Sequence, residues 1–517
     1  MAAWCSNVIW PCSKPNSTVL LIGAVLLIVS YSLGKLIYNV YFHPLCEYPG
    51  PRLWAATRIP YTRYIVAGQM HKKILELHEK YGAIVRVSPD ELSYNSSNAW
   101  RDLYGHVKGK TGDHGRDPVA TYDHREGLFG AKLEDHPRFR RAISHGFSAQ
   151  AMMEQQPIIA KYVDLFIKKL NQRCASGSQP LNMVQWYDFV TFDIVGDLTF
   201  GEPFNCLQNS EYHQWVTIIF ENIKLAALGI QARRFPTIAK LLEYLIPARL
   251  LKQREQHNAL TSSKVSKRLE VEGERQDFMD SMLQNWKNKN EFTRIELEVT
   301  SAALIMAGSE TTATALSAIT YLLTKHPEAM MKLSDEVRGS FAAEHEIDMN
   351  SVKRLRYVNA VISEGMRLCP PVPTGFPRRV REGGGLFLGR HVPEGTLVMV
   401  WQWAAYHSPE NFALPDSFIP ERWLDEDARF VSDKKNAFQP FSLGPMSCIG
   451  MNLANAELRF ILAKMVWNFD MKLHPDSQNW FDGLKTYILW QKPPLHVYLT
   501  PRTVNGGKEA TEDVAGV

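Results

Sequence analysis

The chain has 517 residues, 45% of them apolar, so it can bury a large core as one domain or as two or three smaller ones. The net charge is only +4, with no block of one sign that would indicate a nucleic-acid-binding protein. Seven cysteines are scattered without a Cys-x-x-Cys pair, which argues against a disulfide framework or a zinc cluster and favours a reducing compartment.

The first predicted element is an apolar helix over residues 19–40, whose only charge is Lys35. At about 1.5 Å per residue it is about 33 Å long, which is enough to cross a bilayer. A cleaved signal peptide would have a shorter apolar core and an Ala-x-Ala site. Basic residues are more frequent after the segment than before it. The sequence therefore predicts a lumenal N-terminus and anchor (residues 1–40) with a cytoplasmic body.

The body begins with Pro49-Gly-Pro51, a stiff hinge. An amphipathic pattern predicts a helix over Met70–Tyr81, and alternation predicts strands over residues 84–87 and 91–94. The chain from residue 147 to about 290 reads as mostly helical, with a charged surface connection over residues 262–276.

A long helix is predicted from Thr293 to His326, because Thr293 and Glu296 form a capping-box pattern and Pro327 ends it. Short strands follow over residues 384–402, with a turn at 393–395, and a last helix covers residues 451–468. The sum is a mainly α fold with a minor β portion. We expect one catalytic domain over residues 41–500 and a disordered tail over residues 501–517.

One cysteine stands out, because Cys448 lies between Gly444 and Gly450 just before the last helix. Glycines permit positive φ and a close approach of the backbone to a flat ligand. The N–H groups at a helix start stabilise a thiolate and lower its pKa. The run predicts a thiolate ligand on a tight loop; the alternative is a buried, inert cysteine.

The long helix contains Ala-Gly-Ser-Glu-Thr-Thr over residues 307–312. A threonine can bond to a carbonyl one turn earlier, and glycine allows the helix to bulge. A groove widened in this way can hold O2 and water beside a metal, with Glu310 and Thr311 as an acid–alcohol pair that relays protons. The alternative is a glycine that only packs against a neighbouring helix.

The run from Phe441 to Gly450 resembles the haem-binding loop of the cytochrome P-450 family, Phe-x-x-Gly-x-Arg-x-Cys-x-Gly, with Met446 in place of the arginine. Gly-x-Glu-Thr-Thr, Glu-x-x-Arg, Pro-Glu-Arg-Trp and the cysteine loop also follow one another in the family's order. The resemblance covers about residues 41–500. Residues 41–61 are most similar to the filamentous-fungal branch, many of whose members act in secondary metabolism.

The resemblance implies roles for individual residues. Cys448 would be the axial ligand of the iron of haem b, on a loop that also contains Phe441, Gly444 and Gly450. Haem propionates would be bound by His136, Arg140 and Arg378. Glu364, Arg367 and Arg422 would form a buried salt-bridged triad that supports the cysteine loop.

The function implied is that of a membrane-anchored monooxygenase of the endoplasmic reticulum, which activates O2 and oxidises a lipophilic small molecule. Electrons would come from NADPH through a cytochrome P-450 reductase, which docks on basic residues of the cysteine side, for which Arg138, Arg141, Lys434 and Lys435 are candidates. The pocket is expected near residues 119–122, Ala307, 372–375 and 487–489. The alternatives are a haem-thiolate isomerase or dehydratase that does not use O2, and a non-enzymatic haem carrier or sensor.

Overall fold

The computed structural model describes residues 17–106, 114–175, 179–235, 239–240, 247–271, 275, 277–289 and 292–502. The predicted tail lies outside these residues beyond position 502, as do the first sixteen residues. The fold is mostly helical. The α-helices span Ser17–Tyr41, Arg52–Ala56, Ile59–Ala67, Met70–Tyr81, Ala99–Tyr104, His136–Ser144, Ala149–Glu154, Gln156–Ala175, Met183–Phe200, Cys206–Asn209, Gln214–Arg233, Ala248–Glu270, Phe278–Lys289, Arg294–Lys325, Pro327–Ser340, Arg356–Leu368, Gln402–Tyr406 and Met451–Asn468.

The strands of the described residues form four small sheets. The largest has the order Ile84–Ser88, Glu91–Tyr94, Leu397–Val400, Arg378–Arg379, Gly115–Arg116; only its second and third strands are parallel. A second sheet has the order Leu181–Asn182, His496–Pro501, Phe469–Leu473. Two-stranded sheets pair Gly385–Phe387 with Arg390–Val392 and Lys485–Thr486 with Trp490–Gln491. The predicted mainly α fold with a minor β portion is confirmed.

The N-terminal helix Ser17–Tyr41 is almost entirely exposed, and its length and composition suit a membrane span. Only Asn39 is buried, and its side-chain amide donates to Ala56 O (2.8 Å) at the junction with the body. An exposed helix of this apolarity is stable in a bilayer rather than in water. The helix agrees with the apolar segment predicted over residues 19–40.

The core is built around the long helix, Arg294–Lys325, which packs against Met183–Phe200. Both halves of the predicted capping box form: Thr293 Oγ1 accepts from Glu296 N (3.2 Å), and Thr293 N donates to Glu296 Oε2 (2.7 Å). From Ser309 to Leu323 nearly every residue of the long helix is buried. A helix that is buried all round becomes a fixed axis from which side chains can be positioned.

One element was predicted wrongly. Residues 262–276 were expected to form a surface connection, but helix Ala248–Glu270 continues through most of them. The reason is a buried ion pair, because the Arg268 guanidinium contacts the Asp277 carboxylate at 3.0 Å and also Asp280. A guanidinium compensated in this way can be buried, so a charged sequence does not have to lie at the surface.

Candidate active site

A cavity of about 220 Å³ lies between the long helix and the loop that contains Cys448. The long helix contributes Ala303, Leu304, Ala307, Gly308 and Thr311 to its walls, and the cysteine loop contributes most residues from 440 to 450. Apolar side chains such as Val372 and Phe376 line much of the rest. The cavity therefore joins the two segments that the sequence marked for chemistry.

The cysteine loop is a tight turn. Cys448 N donates to Phe441 O (2.8 Å), and Ser447 N donates to Gly444 O (3.0 Å). Gly444 has φ +76°, and a Cβ there would lie 2.0 Å from Tyr104 O, so only glycine fits. The last helix begins at Met451, so the thiol is placed at a helix start as predicted.

The Cys448 thiol is exposed only in the sense that it lines this cavity. Burial raises the pKa of Cys448, while the Gly450 N–H and the Arg140 guanidinium act in the opposite direction. The helix start therefore acts to lower this pKa as predicted, but desolvation is the larger effect, so the net shift for the free thiol is upward. A metal cation at the sulfur would reverse this balance.

Basic groups gather beside the same loop. His136 and Arg140 line the cavity. Arg140 Nη1 donates to Ser447 O (2.6 Å), and Arg378 Nη1 contacts Met446 Sδ at 3.0 Å. Burial and the three arginines 116, 140 and 378 lower the pKa of His136 to about 4, so it is neutral at pH 7. The third of these, Arg116, is a cavity-lining residue that the sequence analysis missed.

This arrangement fits an iron porphyrin. A thiol faces the cavity from a loop in which a Cβ at Gly450 would have only Cys448 Sγ nearby, at 3.9 Å. No carboxylate lines the cavity among the described residues, although two arginines do. Half-buried cations without acids beside them favour an anionic partner. A group that carries both a thiol-binding metal and carboxylates satisfies both features.

On the long helix, the structure places Glu310 and Thr311 in different surroundings. Thr311 lines the cavity and its hydroxyl donates to Ala307 O (2.7 Å), the predicted bond to the preceding turn. Glu310 is buried away from the cavity lining and pairs with Lys492. Neighbouring residues on a helix point about 100° apart, which explains the divergence.

Gly308 does not produce the expected bulge. The helix is α-helical throughout residues 294–325. A Cβ on Gly308 would lie 3.0 Å from a methyl group of Val195 on the neighbouring helix. The alternative left open by the sequence, a glycine that permits close helix packing, therefore describes this position.

The structure brings Glu364, Arg367 and Arg422 together, all fully buried. The Glu364 carboxylate accepts from Arg367 Nε and Nη2 (both 2.9 Å) and from Arg422 Nε (3.0 Å). Two further groups were not predicted: Trp423 Nε1 donates to Glu364 (2.9 Å), and Asp433 accepts from Arg422 (2.5 Å). The two carboxylates and the two guanidinium groups of this cluster therefore compensate one another.

Comparison with known proteins decides the family. The family model described as Cytochrome P-450 matches residues 47–499. The chain belongs to the cytochrome P-450 family. It is 45% identical to "Trichothecene C-15 hydroxylase" of Fusarium sporotrichioides over 92% of this chain and 96% of the relative. It is 41% identical to "Averantin hydroxylase" of Dothistroma septosporum, over 93% of this chain and 91% of the relative.

This cytochrome P-450 is a haem-thiolate monooxygenase, and its curated relatives are fungal monooxygenases of secondary metabolism. Of the expected pocket residues, Ala307 and Val372 line the cavity, whereas residues 119–122 and 487–489 are not among the described lining.

The four candidate docking residues of this cytochrome P-450 differ in their contacts. Arg141 and Lys434 are exposed. Arg138 is engaged with Glu296 (2.7 Å), and Lys435 pairs with Asp425. Two of the four candidates are thus already used in intramolecular ion pairs.

Proposed function

We propose that this cytochrome P-450 binds haem b through Cys448 as the axial iron ligand. His136, Arg140 and Arg378 would hold the propionates, and Phe441, Gly444 and Gly450 would shape the loop against the ring. The observation that supports this most is that one cavity is lined by the Cys448 thiol, by a basic cluster without a carboxylate among the described residues, and by Thr311 of the long helix. The triad of Glu364, Arg367 and Arg422 would fix the loop from behind.

A bound haem supplies the centre at which O2 is activated for insertion of one oxygen atom into a substrate. Thr311 would hold a proton donor at the cavity surface, because its hydroxyl is anchored on Ala307 O and faces the cavity. Glu310 can join this relay only if its bond to Lys492 opens. We therefore propose that Thr311 positions the proton donor. Glu310 would take part in proton transfer only in a state in which its contact with Lys492 is broken.

The substrate is proposed to be a lipophilic secondary metabolite or its precursor. The cavity walls are mainly apolar or small, which suits a ligand with few polar groups. The relatives named as trichothecene C-15 and averantin hydroxylases support hydroxylation as the reaction type.

Electrons are proposed to come from NADPH through a cytochrome P-450 reductase. The exposed cations Arg141 and Lys434 would supply part of the docking surface. Anchorage by Ser17–Tyr41, with Arg52, Arg58 and Arg63 following it, supports a single-pass protein of the endoplasmic reticulum with a cytoplasmic catalytic domain.

The test begins with the spectrum of the reduced, CO-bound protein. The wild type should show the strongly red-shifted Soret band of a thiolate-ligated haem, and Cys448→Ala should lose it. Cys369→Ala is the matched control, because Cys369 is fully buried and does not line the cavity. A band that persists in Cys448→Ala would refute the assignment of the ligand.

The second test separates oxygenation from the alternatives. With reductase, NADPH and a candidate substrate, turnover should require O2 and add one oxygen atom, as detected by mass spectrometry. An isomerase or dehydratase would turn over without O2, and a carrier would consume no NADPH in response to substrate. Thr311→Ala should keep the haem spectrum while product per NADPH falls and peroxide release rises; unchanged coupling would remove Thr311 from the relay.

A further inference from the structure

Two histidines lie opposite each other at one end of the three-stranded sheet. Strands Phe469–Leu473 and His496–Pro501 pair antiparallel, and one further backbone hydrogen bond joins His474 N to His496 O (3.0 Å). His474 keeps the extended backbone of the strand, with φ −72° and ψ 145°. Opposite residues of antiparallel strands project to the same face, with Cβ atoms about 4.5–5.5 Å apart. The two imidazoles therefore share one face, and their ring centres are 6.0 Å apart.

A carboxylate faces one of these imidazoles. Asp476 lies in the short turn Pro475–Ser477, and its Oδ2 is 3.6 Å from His474 Nδ1. The backbone N–H of Asp476 donates to the same Nδ1 (3.2 Å), so this nitrogen presents a lone pair rather than a proton. A lone-pair nitrogen and a carboxylate oxygen are both electron-rich. Their contact is stabilised by a cation that bridges them, and such a cation would replace the bond from the backbone N–H.

The three side chains come close enough to share one ion. Ligand atoms of His474, Asp476 and His496 all lie within 4.8 Å of one another. Zn²⁺ binds imidazole nitrogen and carboxylate oxygen at about 2.0–2.2 Å, which places tetrahedral ligands about 3.3–3.5 Å apart. The 3.6 Å between His474 Nδ1 and Asp476 Oδ2 is close to this spacing. Rotation of the Asp476 side chain, which is 76% exposed, can shorten the longer separations.

The backbone and rings around these ligands are held in place. His496 N donates to Ser477 Oγ (2.8 Å), which fixes the turn against the strand. The His474 ring packs against Tyr498, with 5.2 Å between the ring centres, and its side chain is only 20% exposed. Because the Asp476 side of the cluster is open to solvent, water can supply a fourth ligand. Side chains that are ordered beforehand lose little conformational entropy when an ion binds.

We propose that His474, Asp476 and His496 bind one divalent transition-metal ion of the Zn²⁺ type. Two imidazoles and one carboxylate suit this class, whereas Mg²⁺ and Ca²⁺ prefer oxygen ligands alone. None of the three residues is among the described lining of the cavity with Cys448. The ion would therefore join the Pro475–Ser477 turn to the C-terminal strand and stabilise the fold, with no part in the oxygenation.

Zn²⁺ binding to the full-length, haem-loaded protein tests the proposal. Equilibrium dialysis against zinc chloride gives the stoichiometry and the affinity, and differential scanning calorimetry gives the Tm. The Tm of the wild type should rise with Zn²⁺, because an ion that binds only the folded state stabilises it. His496→Ala and Asp476→Asn should each weaken binding by about tenfold or more and lose this rise in Tm. The Tm without zinc shows whether each variant is folded.

The matched control is His345→Ala. His345 is exposed and stands between Glu344 and Glu346, but it belongs to no three-residue group of metal ligands among the described residues. Its loss should leave the zinc affinity and the Tm rise as in the wild type. X-ray absorption at the zinc edge should show nitrogen and oxygen ligands, with the scattering pattern of imidazole and without sulfur.

Three results would overturn the proposal. Zn²⁺ bound as tightly by His496→Ala and Asp476→Asn as by the wild type would place the ion elsewhere. A sulfur ligand in the absorption spectrum would assign the ion to a cysteine. A wild type that shows no saturable Zn²⁺ binding, or no rise in Tm with it, would exclude a stabilising site. The CO spectrum of the reduced protein should be the same in all variants, so none of these results bears on the proposed function.

Discussion

Lys492 lies between two buried carboxylates. Its ammonium pairs with Glu310 and lies 3.7 Å from Asp188, and it also donates to Thr314 Oγ1 (2.9 Å). Burial raises the pKa of Asp188 to about 7, and the Lys492 charge opposes this shift. Tyr212 donates to the second oxygen of Asp188 (2.8 Å). The cluster thus stabilises the contact between the long helix and the C-terminal segment.

Replacing Lys492 by methionine should leave Glu310 and Asp188 as buried acids without a cation. Breaking a buried pair in this way costs about 3–5 kcal/mol of unfolding free energy. The matched control is Lys332→Met, because the Lys332–Glu421 pair is half-exposed and should contribute less than about 1 kcal/mol. Urea unfolding of both variants checks this, and Lys492→Met combined with Glu310→Gln should recover part of the loss. Equal losses in the two single variants would contradict the argument.

Glu457 makes the free energy of unfolding of this protein depend on pH. It lies on the last helix and is fully buried, and burial raises its pKa to about 8, while Thr312 acts in the opposite direction. The folded state therefore keeps the proton at pH 7, whereas the unfolded state releases it above about pH 4.5. Because the unfolded state then binds fewer protons, the free energy of unfolding falls as the pH rises from about 4.5 to about 8.

Glu457→Gln should remove this dependence. As the pH rises from 5.5 to 7.5, the free energy of unfolding of the variant should increase by about 2–3 kcal/mol relative to that of the wild type. Each pH unit between the two pKa values corresponds to about 1.4 kcal/mol. Denaturant unfolding at several pH values gives the two curves. If the free energies of unfolding of the two proteins changed with pH in parallel, Glu457 would be ionised in the folded protein and the argument would be wrong.

Individual residues were predictable where a motif surrounds them and not where a partner is distant in the sequence. Cys448 and Thr311 stand in recognisable runs, and both line the cavity. Arg116 lies in no motif, so the sequence does not indicate that it lines the cavity. Lys492 is 182 positions from Glu310, so no local pattern predicts their contact. Met446 was visible as a departure from the family's pattern, whereas the register that pairs Arg116 with Arg378 was not visible in the sequence.

At the scale of elements, periodicity and caps gave accurate bounds. The helices Met70–Tyr81 and Met451–Asn468 match their predicted ends, and the long helix differs by one residue at each end. The helix Ala248–Glu270 was missed in part because its charged face hides a buried ion pair. Sheet order was not predictable, since the strand at residues 397–400 pairs with one more than 300 positions earlier.

The cysteine loop allows a sharp test of one such element. Gly444→Ala introduces a Cβ that would lie 2.0 Å from Tyr104 O at φ +76°. The loop must shift, so the fraction of the protein with thiolate-ligated haem should fall severalfold. Gly383→Ala is the matched control, because Gly383 has φ +77° with nothing within 4 Å of the added Cβ. The control suffers only the strain of positive φ, about 1–2 kcal/mol, and should keep its CO spectrum. Equal spectra for both variants would exclude a tight fit at Gly444.

At the scale of the whole molecule, membrane attachment and catalysis occupy separate parts of the described chain. No residue of Ser17–Tyr41 lines the cavity, and its single buried side chain, Asn39, lies at the junction with the body. Apolar side chains near that junction are also exposed, including Leu53 (65%) and Ile59 (63%). Exposed apolar side chains favour a bilayer surface, so they would add a weak affinity of the body to the anchorage proposed for the helix.

Deleting residues 1–41 should therefore separate the two properties. We expect alkaline carbonate to extract the shortened protein from membranes and to leave the full-length chain in the pellet, because about 20 apolar residues hold a span in the bilayer. The thiolate spectrum should be the same in both. A chain with residues 17–41 in shuffled order is the matched control and should remain in the pellet, since anchorage depends on length and apolarity rather than order. A shortened protein that resists carbonate would place the anchor in the body, and a shuffled chain that is extracted would show that specific contacts of the helix hold it.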